Sequence, residues 1–100
     1  MSDMHLISLP RLQAAMHLVV RGFGSSADEV AAVAGNLIEA NLTGHDSHGI
    51  GMLPRYVAAY LEGGLKPNAS ISTVMDGGAM LRLDGNAGFG QVIGVQAMQL

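Results

Sequence analysis

Asp46-Ser47-His48-Gly49, followed at short range by Met52, Arg55 and Tyr56, is the stretch whose residue types could do chemistry. An imidazole exchanges protons near neutral pH, and one set between a hydroxyl and a glycine, in a loop feeding a helix, has both a neighbour to orient it and room for a ligand. His48 and Ser47 are therefore the candidate catalytic pair, and the space beside Gly49 is where a ligand would lie. Met52, Arg55 and Tyr56 lie at spacings of three and four, so on a helix they share one face near His48 and become candidate substrate contacts.

Two other readings of the same residues stay open. His45, Asp46 and His48 supply nitrogen and oxygen donors within four residues of each other, as a metal site would. Zinc usually asks for a further ligand and regular geometry, and a glycine-flanked loop does not place the two histidines on one helix face, so no bound metal is expected. Alternatively the loop only caps a helix, through a local turn network, in a non-catalytic helical interaction domain. His5 and His17 lack such company and are assigned to structure or solvent.

The elements that must position the loop follow from periodicity and punctuation. Ser8 can cap a first helix over about 9–21, with Pro10 in its tolerant first turn and Leu12, Ala15, Met16 and Val19 at helical spacing. Gly22 and Gly24 stop it. Ser26 and Glu29 form a capping-box pattern opening a helix over about 27–43, whose stripe is Val30, Val33, Ala34, Leu37, Ile38 and Asn41. After the glycine-rich loop a third helix covers about 52–62, with Pro54 in its first turn and Gly63-Gly64 as its stop.

Lys66-Pro67-Asn68 reads as a turn, and a hairpin covers about 70–84, with β-prone runs at Ile71–Met75 and Ala79–Leu83 around Asp76-Gly77-Gly78. A last helix covers about 88–100, where Gly90 and Gly94, four apart, would let a neighbour approach closely. Gly85-Asn86-Ala87-Gly88-Phe89-Gly90 is a poor match to the dinucleotide fingerprint, so close packing is the preferred reading. The class is α+β.

Composition limits the partners. The 100 residues are 49% hydrophobic and 13% charged, enough for one modest core, and with seven methionines and only four aromatics that core is aliphatic. A net charge of −3 without a Lys/Arg run argues against nucleic acid. Cysteine is absent, no apolar run is long enough to span a bilayer, and nothing near Met1 resembles a signal peptide, so the cytoplasm is the expected compartment and no membrane partner is expected.

Three segments together carry a family resemblance. Ala40-Asn41-Leu42-Thr43-Gly44-His45-Asp46-Ser47-His48-Gly49, the helix start Leu53-Pro54-Arg55-Tyr56, and Asp84-Gly85-Asn86-Ala87-Gly88-Phe89-Gly90-Gln91 resemble, in order, the N-terminal third of the type 2 malate/L-lactate dehydrogenases. The resemblance implies a fragment of the non-Rossmann, sulfolactate dehydrogenase-like fold, a mixed sheet with helices. It implies an oxidoreductase that uses NAD or NADP to interconvert small 2-hydroxy and 2-oxo acids, usually as a homodimer or larger assembly. It also implies that this stretch alone is inactive, since cofactor segments lie further along such proteins. Its Ser-His-Gly motif falls on Ser47, His48 and Gly49, with the histidine beside nicotinamide and substrate, while another family histidine further on competes as principal acid/base. One departure stands out: many members carry arginine four residues after the motif histidine, where this chain has Met52, so either Arg55 reaches round to grip the substrate carboxylate, an Arg or Lys further along takes over, or the substrate differs in shape.

Overall fold

A computed structural model describes residues 6–100. Its elements are α1 (Leu9–Gly22), α2 (Ala27–Leu42), two single 3-10 turns at Asp46–His48 and Ile50–Met52, α3 (Leu53–Leu61), β1 (Ser72–Asp76), β2 (Leu81–Asp84) and α4 (Gly90–Met98). The α+β class and the order of the elements follow the sequence reading. His5 lies outside the described residues. No helix is long and apolar enough to cross a membrane among the described residues.

The core is the seam between α1 and α2. Leu12, Met16 and Val20 recur every four residues along α1 and are buried against Val30, Val33, Ala34, Leu37 and Ile38 of α2. This is the apolar stripe that a 3.6-residue period presents to a neighbour. Leu53 and Phe89 close one end of it. The four aromatic residues, scattered in sequence, meet there: Phe23 lies 5.0 Å from Tyr60 and 6.0 Å from Phe89, and Tyr56 stands edge-on to Phe89 at 5.4 Å. Such offset and edge-on contacts exploit the ring quadrupole as well as buried area. They tie the end of α1 and the start of α4 to α3.

Several local expectations are refined by longer-range bonds. Ser8 occupies the cap position of α1 but makes no side-chain cap bond; its carbonyl accepts from the Leu12 N–H instead. Ser26 does cap α2, its hydroxyl accepting from the Glu29 N–H at 3.2 Å, yet the return bond of a capping box is absent. Asn68 takes that place. Its Oδ1 accepts from the Ser26 N–H at 2.6 Å, its own N–H donates to Glu29 Oε2 at 2.7 Å, and its Nδ2 donates to the Gly24 carbonyl at 2.8 Å. Asn68 has a φ of +62°, a left-handed conformation that asparagine tolerates better than most residues, and so the turn is pinned to the start of α2.

The hairpin pairs Ser72 with Asp84 and Asp76 with Leu81 in antiparallel register, with an irregularity between Thr73 and Met75. The strands sit slightly later than expected because the turn closes through Gly77 N–H to the Met80 carbonyl at 2.8 Å, leaving Ala79 and Met80 outside the second strand. The last helix begins at Gly90 rather than 88, since Phe89 is extended and drawn into the aromatic cluster. The close approach expected at Gly90 and Gly94 is not found: a Cβ at either would meet nothing within 4 Å among the described residues. It occurs at Gly88, where a Cβ would press on Ala69 and Ile93 at 3.0 Å.

Met16 tests this account of the core. Met16→Ala should lower unfolding free energy by about 2–5 kcal/mol, the range for emptying a packed site. Leu18→Ala, on the same helix but 68% exposed, should change it by less than about 0.5 kcal/mol. Denaturant titration of both variants measures the difference.

Candidate functional site

The site is built at the C-terminal end of α2. Thr43 and Gly44 end the helix, with Thr43 Oγ1 bonded to the Glu39 and Ala40 carbonyls at 3.0 and 3.2 Å and Gly44 turning left-handed at φ +88°. That reversal lets His45 N–H return to the Ala40 carbonyl at 2.8 Å. Two 3-10 turns follow, closed by His48 N–H to the His45 carbonyl at 2.9 Å and Met52 N–H to the Gly49 carbonyl at 2.9 Å. The second runs directly into α3, so Ser47, His48 and Gly49 are strung between two helices.

Ser47 and His48 are exposed, and the Ser47 hydroxyl lies 3.1 Å from His48 Nδ1. Nε2 has no hydrogen bond among the described residues. His45 stands edge-on to His48 at a centroid separation of 6.4 Å, and the two line a depression of about 350 Å3 floored by Ala40. Among the described residues no three His, Cys, Asp or Glu side chains gather as a metal-holding group. The arrangement is an exposed, oriented imidazole on a shallow concave surface, suited to proton transfer with a ligand laid across it.

The remaining candidates separate. Gly49 is buried; a Cβ there would overlap the Asn41 carboxamide, so Gly49 can meet a ligand only through its backbone. Met52 is half-buried and packs on the core, as does Tyr56. The Tyr56 hydroxyl accepts from Gln91 Nε2 at 2.9 Å and keeps its own hydrogen to donate. Arg55 is exposed on α3 and has no hydrogen bond or ion pair among the described residues, which leaves its guanidinium available.

Asn41 is the residue that the pattern in sequence did not single out. Its Oδ1 accepts from the Ile50 N–H at 2.8 Å and its Nδ2 donates to Asp46 Oδ1 at 3.0 Å. It sits at a stripe position of α2, four after Leu37, where an apolar residue would continue the stripe. A polar residue in that register was the available signal.

Comparison with known proteins bears on what this constellation is. The chain is 44% identical over 100 residues to hydroxycarboxylate dehydrogenase B of Escherichia coli K12, covering all of this chain and 28% of that protein. It is 37% identical over 82 residues to L-sulfolactate dehydrogenase of Methanocaldococcus jannaschii, covering 82% of this chain and 24% of that protein. The solved sulfolactate dehydrogenase from M. jannaschii superposes with a TM-score of 0.81 at 33% identity, over 94% of this chain and 28% of the other. The chain thus spans about a quarter of the length of these relatives, and its helices, hairpin and loop are arranged as in the corresponding part of the sulfolactate dehydrogenase fold. With a profile of malate/L-lactate dehydrogenases matching residues 7–100, loop and fold alike, the chain belongs to the malate/L-lactate dehydrogenase family.

Proposed function

We propose that the whole protein is an NAD- or NADP-dependent oxidoreductase that interconverts a small 2-hydroxy acid and its 2-oxo acid, with His48 as an acid/base at the reacting oxygen. The observation that carries this is the Ser47–His48 pair, exposed and oriented on a concave surface, in a chain whose relatives are hydroxycarboxylate, malate and sulfolactate dehydrogenases.

The nicotinamide group, when bound, accepts or returns the hydride at the substrate's C2. The depression over Ala40, His45 and His48 is at the small end of ligand sites, which fits one ring of a dinucleotide rather than the whole molecule. His48, with Ala40 and His45, would border that ring, and buried Gly49 could add only its backbone. The requirement on His48 is specific. To take the hydroxyl proton as hydride leaves, Nε2 must carry a lone pair, so Nδ1 must carry the hydrogen and donate it to Ser47 Oγ. In the reverse direction the imidazolium gives the Nε2 proton to the incipient alkoxide while the same Nδ1 bond holds the ring.

An acidic substrate also needs a counter-charge. Met52 offers only a thioether against the core, whereas Arg55 is a free guanidinium on the next helix, able to form a charge-assisted fork with a carboxylate. Tyr56 is held by Gln91 and Phe89, and its hydroxyl can donate one hydrogen bond. Val95 and Met98 of α4, exposed at 57% and 87%, support an assembly in which further protein, from the remainder of the molecule or from a second copy, covers that face.

In the whole protein, His48→Ala should reduce kcat by about 100-fold or more, the scale of losing a general acid/base, while His45→Ala stays near the parent value. Steady-state oxidation of malate, lactate and sulfolactate measures both; inactive His45→Ala with active His48→Ala would move the chemistry to the neighbouring ring. Arg55→Ala should raise KM for the acid more than it lowers kcat, because an ion pair made equally in ground and transition states is uniform binding. Met52→Arg should lower KM if the guanidinium reaches the carboxylate. An unchanged KM in both variants would place the anchor elsewhere in the protein.

A further inference from the structure

We propose that Asn41 is a positioning residue for His48, acting as a bracket that fixes the Ser47-His48-Gly49 backbone to α2. The proposal rests on the acid/base reading of His48 and adds to it the group that holds the imidazole in place.

The geometry is that of a bracket. Asp46 and Ile50 flank the three motif residues, and the two ends of a single carboxamide reach them: Nδ2 to the Asp46 carboxylate at 3.0 Å and Oδ1 to the Ile50 N–H at 2.8 Å. The support beneath it is rigid. Asn41 follows Leu37 and Ile38, both buried in the core, on a 16-residue helix. The backbone hydrogen bonds within the loop are local, spanning three residues each, the Ser47–His48 bond joins neighbours, and His45 N–H to the Ala40 carbonyl ties only the loop's entrance to the helix. Ser47 and His48 are themselves exposed, so packing does little to set their backbone; the carboxamide fixes the loop that carries the ring, and the Ser47 bond orients the ring on that loop.

Gly49 belongs to the same device. It is buried, and the Asn41 side chain fills the space that a Cβ would need, so the glycine in this motif is the slot that receives the bracket. This explains its residue type without any ligand contact by its missing side chain.

The donor and acceptor pattern gives a test that simple destabilisation cannot mimic. Asn41→Asp keeps the acceptor for Ile50 N–H but sets a carboxylate against that of Asp46, where like charges repel. Adding Asp46→Asn restores the bond with donor and acceptor exchanged. In the whole protein, Asn41→Ala and Asn41→Asp should lower kcat by roughly 10- to 100-fold, as misplacing a catalytic group by a fraction of an ångström to an ångström does, with KM changed by less than about threefold. The Asn41→Asp/Asp46→Asn pair should recover kcat to within about threefold of the parent protein. Thr43→Val removes two bonds at the same helix end, and should leave kcat unchanged even where it lowers Tm as much as Asn41→Ala does. Amide exchange at Ile50 should quicken in Asn41→Ala and not in Thr43→Val. A parent-like kcat in Asn41→Ala, or a paired variant no better than Asn41→Asp, would overturn the positioning role. An Ile50 amide already unprotected in the parent protein overturns the bracket itself, whereas full turnover in His48→Ala overturns the acid/base reading on which it rests.

Discussion

A single carboxamide carries the geometry of the candidate site. Loop residues that must be open to a ligand cannot be held by burial, and here Ser47 and His48 are exposed while the side chain of Asn41, rooted on the buried face of α2, spans the loop from Asp46 to Ile50. One of the two bonds runs to a carboxylate and the other to a backbone N–H, pairings stronger and more directional than apolar contact. The glycine at position 49 follows from the same constraint, since any side chain there would occupy the carboxamide's place. Chemistry and scaffold are thereby separated: the helix supplies rigidity, the loop supplies access.

The far side of the loop is fixed by a different means. The second 3-10 turn passes into α3, and α3 is oriented by the aromatic cluster, with Tyr60 on Phe23 and Tyr56 on Phe89. Gln91 adds a polar tie to Tyr56, which joins the start of α4 to the start of α3. Met52 is turned into the core by this arrangement, while Arg55, one step round the helix, is left outside. The exposure of that one cation is a consequence of which side chains the core required.

How much of this could be read from the chain depends on the range of each interaction. The helices were legible because Leu12-Met16-Val20 and Val30-Val33-Leu37 repeat at helical spacing, and Ser26 marks a start whatever surrounds it. The loop stood out by its residue types and by family resemblance, and the structure brings the Ser47 hydroxyl to His48 Nδ1. Asn41 was read as the end of an apolar stripe, because nothing local shows that a helix side chain will reach nine residues on to Ile50. The capping box was half right for the same reason: Asn68, 39 residues beyond Glu29, takes the bonds that a local rule assigns within the helix. The glycine pair in α4 marks where a neighbour could approach; among the described residues the close approach falls at Gly88 instead.

The central claim is that a loop held by Asn41 presents His48 to the oxygen on C2 of the substrate. The measurement that meets it most directly is a crystal structure of the whole protein with oxidised dinucleotide and a 2-oxo acid, a pair that cannot react because both are already oxidised. The account predicts His48 Nε2 at hydrogen-bonding distance, about 2.6–3.2 Å, from the C2 oxygen, with Nδ1 on Ser47 and the Asn41 bonds intact. A C2 oxygen held by other groups, with the His48 ring out of reach and the Asn41 bonds unchanged, would contradict it.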